Sequence, residues 1–435
     1  MKKNAGWILI IIFAAIPAVV WTVMYPLRFR FYDLTTTSTS LGQLAGLTGM
    51  ALYAINLILS ARLKIFDRYL NGLNRVYINH HRIGAIAFVL LLCHPILLTT
   101  QYLSISLESA ASFWLPNADW AVTFGKISLS GMIILLVLTF FISLKYNIWK
   151  STHTHLGLFF FFGGLHVFFI TSDVSSNIVL RYYMLSLSAL AIVVYVYHTY
   201  LRNIVEKPYN YTLTEIKKIN NAVVELTLAP LSQQKLLKYK AGQFAFIHFE
   251  NDDIGKEQHP YSFTSKPSDT IISFVIKNLG DYTRLVDSLS RGTITKIDGP
   301  YGLFSYELYH NKNQIWIAGG IGITPFISMA RHLAQQSDVI LYTIDLYYCV
   351  KNESELIQIN ELNNISSVHK NFRVIPFLSE KQGKINAHII NEMSNSLDRK
   401  DIMICGPVPL MKALRSQFKE MGIKRSLVHT EEFKL

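Results

Sequence analysis

The chain has 435 residues, 51% of them hydrophobic and only 16% charged, with a formal net charge of +12. That charge does not point to nucleic acid, because no basic stripe interleaved with aromatics lies on a recognisable binding module. The three cysteines, Cys93, Cys349 and Cys405, form no CxxC pair, which excludes a zinc ribbon, an iron–sulfur module and a disulfide framework.

The apolar residues crowd into the first half. A membrane span needs about 20 mainly apolar residues, and six stretches qualify: 7–25, 41–61, 80–103, 123–144, 153–172 and 177–200. The run Trp7 to Tyr25 is too long for a signal-peptide core and reads as the first span. The small-polar run Thr35 to Ser40 is the one low-complexity stretch that stands out. Basic residues mark one side: Lys2, Lys3, Arg62, Lys64, Arg68, Arg75, Lys145, Lys150, Arg202 and Lys207. Glu108, Asp119 and Asp173 mark the other, with Arg28 and Arg30 against the trend. The positive-inside bias then puts both termini and the C-terminal half in the cytoplasm. The expected location is a plasma membrane, crossed several times, of a bacterium.

Ionisable residues inside spans are costly and are functional candidates by default. His80, His81 and His94 lie in the third span, and His153, His155 and His166 in the fifth. Neutral imidazole is a common axial ligand of haem iron. His80 and His94 are 14 residues apart, about 21 Å along a helix and within about 40° of one face. His153 and His166 are 13 apart, about 19.5 Å, but about 140° off face on an ideal helix. His155 to His166 faces better and rises only about 16.5 Å. Equal depth favours His153, with His155 as the alternative, and facing favours His80 over His81. Two stacked b-type haems bridging the same two helices follow, with His80 and His153 on the inner iron and His94 and His166 on the outer.

From about Glu206 the texture changes. Tyr211 to Ile216, Val223 to Leu228, Phe244 to Phe249 and Ile271 to Ile276 alternate with period two and predict a small antiparallel barrel. From about Gln314, strands at Ile315 to Ala318, Val339 to Tyr348, Phe372 to Pro376 and Ile402 to Cys405 alternate with helices after Thr324, near Glu355 and after Pro409, which predicts a parallel α/β sheet. Within the barrel, His259-Pro260-Tyr261-Ser262-Phe263-Thr264 offers a ring and hydroxyls to a flavin. Lys277-Asn-Leu-Gly280-Asp-Tyr-Thr283 starts a helix whose backbone N–H groups suit a pyrophosphate. Asp298 to Gly302 reads as a tight turn. Gly319-Gly320-Ile-Gly322-Ile-Thr324-Pro325 follows an apolar strand directly, and Cys405-Gly406-Pro407 follows another. Ends of parallel strands are where open α/β sheets bind ligands.

In this order the motifs from 206 to 435 resemble the ferredoxin–NADP reductase superfamily. With the six-span histidine region in front, the whole chain resembles the ferric reductase/NADPH oxidase family, and Trp149-Lys-Ser-Thr-His153 resembles that family's fifth-span entry. The resemblance implies a membrane α-helical bundle of six spans (1–205), an antiparallel β-barrel FAD domain (206–308) and a parallel α/β NAD(P)H domain (309–435). It implies FAD contacts at His259, Pro260, Tyr261, Ser262, Thr264, Lys277, Gly280 and Thr283. It places the nicotinamide nucleotide at Gly319, Gly320, Gly322, Thr324, Pro325, Cys405, Gly406 and Pro407, and Phe433 over the flavin face. Lys351 falls where the family often binds a 2′-phosphate, which favours NADPH over NADH. The implied activity is electron transfer from NADPH through FAD and two haems to an extracytoplasmic acceptor, oxygen or ferric iron, with no side chain acting as acid or base. The runner-up readings are a haem-containing sensor or electron-donating subunit, and a membrane-anchored flavin reductase without haem. Two departures weigh against superoxide as the evolved product. The region Pro95 to Thr100 lacks the further histidine of some oxidases, and the second span opens Leu41-Gly-Gln43 without their arginine.

Overall fold

The structure is a computed structural model that describes residues 5–115, 119–206, 208–231, 236–255 and 257–432. The chain forms two compact units, residues 1–206 and 207–435. Phe433 lies outside the described residues.

The first unit is helical. Its main helices are α1 (Ala5–Met24), α2 (Leu34–Ser60), α3 (Leu73–Leu103), α4 (Trp120–Phe141), α5 (Tyr146–Thr154), α6 (Leu156–Phe169) and α7 (Ile178–Val196). Among the described residues five helices are long and apolar enough to cross a membrane: α1 to α4, and α7 with its continuation to Leu201. Side chains such as Ile11, Val23, Phe140 and Val193 are exposed on their outer faces, as lipid contact requires. Trp21, Phe160, Leu180 and Ala191 pack inside.

Helix boundaries differ from the sequence reading, α3 for one beginning at Leu73 rather than near residue 80, and two of the differences have a local cause. The run Thr35 to Ser40 is the first turns of α2, because the Asp33 carboxylate accepts from the Thr36 N–H at 2.7 Å and the Thr36 hydroxyl accepts from the Asp33 N–H at 3.0 Å. That capping box starts the helix well before its apolar stretch. The expected fifth span is not one helix. It is α5 and the 14-residue α6, parted at His155. There ψ is −9° and the N–H turns back to the Thr152 carbonyl at 3.1 Å, a tightened three-residue turn.

The second unit holds two sheets. Strands β1 (Tyr209–Asn220), β2 (Val223–Pro230), β3 (Phe244–Phe249), β4 (His259–Ser262), β5 (Ile272–Lys277) and β6 (Ile294–Tyr301) form a curled antiparallel sheet in the order β4-β3-β6-β1-β2-β5. Its two edges meet at a single bridge, Phe263 to Phe274. Inward residues Leu226, Phe249, Phe263, Phe274 and Ile297 fill the curl. The sequence missed β6 because Gly299-Pro300 reads as a turn. The chain instead continues in the strand through Tyr301 and turns only at Gly302, where φ is +94°.

Strands β7 (Asn313–Gly319), β8 (Thr343–Val350), β9 (Phe372–Leu378), β10 (Asp401–Cys405) and β11 (Val428–Glu431) form a parallel sheet in the order β11-β10-β7-β8-β9. The expected strand from Val339 opens as a 3-10 turn, Val339–Leu341, before β8. The helix expected near Glu355 runs Ile359–Val368. The order reverses between β7 and β10, so their carboxyl ends open the crevice in which such sheets bind ligands. Aliphatic residues on both faces of β7 and β10 explain their central place.

Candidate functional site

In the helical unit four histidine rings come together in two pairs. The ring centroids of His80 and His153 are 6.1 Å apart, and those of His94 and His166 are 6.4 Å apart. Two imidazoles binding opposite sides of one metal ion, each at about 2 Å, put their centroids about 6 Å apart. The spacing therefore fits one ion per pair.

The second ring nitrogen is already committed. His94 Nδ1 lies 2.8 Å from the Gly42 carbonyl, His166 Nδ1 2.7 Å from the Ala121 carbonyl and His80 Nδ1 3.2 Å from the Asn56 carbonyl. A carbonyl only accepts, so each Nδ1 carries the proton and each Nε2 keeps its lone pair for a metal. His153 has only the Thr139 hydroxyl, at 3.5 Å, and its ring stacks on Trp149 at 5.4 Å and 13°. His81 and His155 are exposed. His155 Nδ1 is taken by the Ser151 carbonyl of its own turn at 2.7 Å. The break at His155 also resolves the 140° mismatch. His153 and His166 sit on separate helices, so their facing is not set by one continuous 3.6-residue period.

Sequence reasoning missed the surroundings of these rings, though a signal was there. Gly42, Gly46 and Gly49 recur on one face of α2. A Cβ on Gly46 would stand 2.6 Å from His94 Nδ1, and one on Gly125 would stand 3.0 Å from His166 Nδ1. Small residues let helices approach closely in membranes, and here the approach brings a carbonyl to both His94 and His166.

In the second unit, His259 to Ser262 form β4, an edge strand paired with β3 from Ile247 to Phe244. The His259 ring lies 4.1 Å from that of Tyr282, and its Nε2 is 2.9 Å from Glu257 Oε2. Tyr282 belongs to the short helix Asp281–Arg284 that starts after Gly280, so the two expected flavin segments meet. Lys277 ends β5. The Tyr261 and Ser262 hydroxyls are buried without a hydrogen-bond partner. Burial, and then nearby Tyr282, push the Tyr261 phenol above its ordinary range, so it stays a donor. Two orphan hydroxyls on a strand edge fit a polar ligand such as a flavin nucleotide. Other groups are spent inside the protein. The Thr264 hydroxyl meets that of Ser273 at 2.8 Å, and the Thr283 hydroxyl accepts from the Gly280 N–H at 2.9 Å. Pro260 sits in β4 opposite Phe246.

The two glycine motifs converge at the switch point. Gly319 ends β7 beside Cys405, which ends β10. A Cβ on Gly319 would meet Pro407 Cδ at 2.8 Å, and Gly406 lies against the Gly319 backbone. Gly320 has φ +54° and open space where its side chain would be. Thr324 and Pro325 open the helix Thr324–Leu333 next to it, its positive end at the crevice. Cys405 is fully buried, and burial followed by the charge of Glu431 hold its thiol well above the usual range. Lys351 follows β8 and is exposed. The sequence did not reveal what joins the two sheets: Ser328 donates to the Ser265 carbonyl at 2.6 Å and Arg331 to the Thr264 carbonyl at 2.8 Å.

Residues 45–164 match the family model of the ferric reductase like transmembrane component, 209–305 that of an FAD-binding domain and 316–416 that of the oxidoreductase NAD-binding domain. Among curated proteins, the 2-halobenzoate 1,2-dioxygenase electron transfer component of Burkholderia cepacia is 27% identical over 213 residues, 47% of this chain and 61% of that protein. The reductase component of propane 2-monooxygenase from Rhodococcus jostii is 24% identical over 237 residues, 51% of this chain and 62% of that protein. The chain thus spans about three-fifths of the length of these relatives. A flavohemoglobin of Malassezia yamatoensis, solved with bound FAD and heme, is alike in fold over 92% of this chain and 99% of its own, with 17% identity and a TM-score of 0.52.

Proposed function

Because the chain has the ferric reductase/NADPH oxidase-like architecture and is an NAD(P)H oxidoreductase, we propose that it moves electrons from cytoplasmic NADPH across a bacterial plasma membrane to oxygen or ferric iron outside. The observation that carries this reading is the pair of facing imidazole couples, three of the four rings held by a backbone carbonyl at Nδ1. Bound FAD would supply the conversion of an electron pair to single electrons, and bound haem b the one-electron carrier.

The protein's own part is positioning. His80 and His153 would hold the inner haem iron, and His94 and His166 the outer. The glycines of α2 and α4 leave room beside the rings. The Tyr261 and Ser262 hydroxyls, with His259, Lys277 and Gly280 nearby, would orient the flavin nucleotide. Gly319, Gly320 and Gly322 would admit the nicotinamide nucleotide, with Cys405 and Gly406 beside the nicotinamide and Phe433 over the flavin. Lys351 would favour the 2′-phosphate. In this reading α5 and α6 together make the sixth crossing, and the domains run 1–205, 206–308 and 309–435.

An anaerobic absorbance spectrum of the purified protein with FAD, before and after NADPH, tests it. Reduced b-type bands from about two haems per chain support the route, and admitting oxygen or a ferric chelate then identifies the acceptor. Flavin bleaching without haem bands would overturn it in favour of a membrane-tethered flavin reductase.

A further inference from the structure

Arg30 ends the short turn Leu27–Arg30 between α1 and α2 and is only 8% exposed. Its guanidinium carbon lies 3.7 Å from the centroid of the buried Trp21 ring and 5.1 Å from that of Tyr25. Nη1 donates to Asp173 Oδ2 at 2.9 Å and to Gln43 Oε1 at 3.2 Å, while Nε and Nη2 have no hydrogen-bond partner. The Ser40 hydroxyl donates to the Arg30 carbonyl at 2.8 Å. Gln43 is the neighbour of Gly42, whose carbonyl orients His94. Asp173 opens the turn that follows α6, the helix carrying His166. One cation thus ties the segment that orients one ring to the segment that ends the other ring's helix.

Stability does not account for this arrangement. Taking a guanidinium and a carboxylate out of water is costly, and apolar replacements of buried ion pairs are often neutral or stabilising. Position accounts for it better, because a planar fork laid on an indole ring has little freedom to move.

We propose that Arg30 is a positioning residue for the His94–His166 pair, fixing the separation of 6.4 Å and the tilt of 66° between the two rings. The inference rests on the reading of that pair as ligands of one haem iron. A low-spin ferric haem with two imidazole ligands has a paramagnetic resonance signal whose anisotropy follows the angle between the ring planes, so the signal reports on the clamp directly.

The experiment compares the full-length protein, loaded with haem and FAD, with Arg30→Gln, Arg30→Lys and Gln43→Leu. In Arg30→Gln one of the two low-spin signals shifts, and the haem count falls from two towards one on mild heating, while the other signal stays. Arg30→Lys restores most of the lost haem. Gln43→Leu, which leaves the ion pair intact, shifts the same signal without haem loss and decides the matter if Arg30→Gln does not fold. Unchanged signals in both Arg30→Gln and Gln43→Leu, or equal changes in both haems, overturn the inference. A wild-type protein without a two-imidazole signal removes instead the ligand reading on which the inference stands.

Discussion

Gly322 lies directly against the end of β10. A Cβ there would meet the Cys405 carbonyl carbon at 2.5 Å and the Gly406 nitrogen at 2.7 Å. The two atoms are backbone, so neither can swing aside, and the crevice between β7 and β10 depends on the missing side chain. Gly322→Ala should force the strand ends apart. Overpacking of this kind costs about 1–3 kcal/mol, a drop of a few degrees in the unfolding midpoint of the second unit, with a higher KM for NADPH. Gly320→Ala meets open space and should cost less, limited to its positive φ. Thermal melts and steady-state kinetics of the two variants check the order, and equal effects would contradict the packing described.

The histidine pairs make a graded prediction. A Cβ at position 46 presses on His94 Nδ1 at 2.6 Å, whereas one at position 125 only crowds His166 Nδ1 at 3.0 Å. Gly46→Ala should displace the His94 ring from the Gly42 carbonyl and remove about one haem per chain. Gly125→Ala should retain most of it. Pyridine haemochrome titration counts the haem. NADPH-dependent flavin reduction should be unchanged in both variants, since Gly46 and Gly125 both belong to the helical unit.

Tyr261→Phe and Ser262→Ala separate ligand binding from folding by the sign of their effects. Each removes a buried hydroxyl that has no partner. An unsatisfied buried group is unfavourable by about 1–3 kcal/mol, so the FAD-free second unit should hold or gain thermal stability. FAD affinity should fall about tenfold, the equivalent of one lost hydrogen bond of about 1.4 kcal/mol. Loss of stability without loss of affinity would mean that these hydroxyls serve the fold.

His332 gives a dependence on pH. Burial lowers its pKa below 6.5, with Glu307 and Asp338 pulling partly the other way. Its Nδ1 is 2.9 Å from the Tyr306 hydroxyl, and Gln336 Nε2 lies 3.1 Å from its other nitrogen. With the amide donating there, the ring is neutral and protonated at Nδ1. Its contribution is complete above about 6.5. As the pH falls through that value the unfolded chain takes the proton first, and stability declines until the folded ring protonates too. His332→Gln should flatten the slope of the melting temperature against pH on the acid side of 6.5. An unchanged slope would assign the dependence to other groups.

The sequence displays what periodicity and residue type encode. Long apolar runs mark the crossing helices, and period-two alternation marks β1, β2, β3 and β5. The glycine motifs lie at strand ends, as their conformations require. What it conceals depends on neighbours distant along the chain. The carbonyls of Gly42, Asn56 and Ala121 that face the rings are backbone atoms, which no residue type announces. Strand β6 holds Pro300, which with Gly299 reads as a turn although the strand continues through it to Tyr301. Arg30 reads in the sequence only as a charge against the trend, because Asp173, its ion-pair partner, is distant along the chain.

The interruption at His155 makes the stretch from Tyr146 to Phe169 a jointed strut. In a continuous helix, inserting or deleting one residue swings every side chain beyond it by about 100°. A joint can absorb such a change locally, so the phase of His153 and the phase of His166 become separate variables. The two rings can then be tuned to their partners one at a time, and the number of residues between them is free to drift while both pairs stay closed.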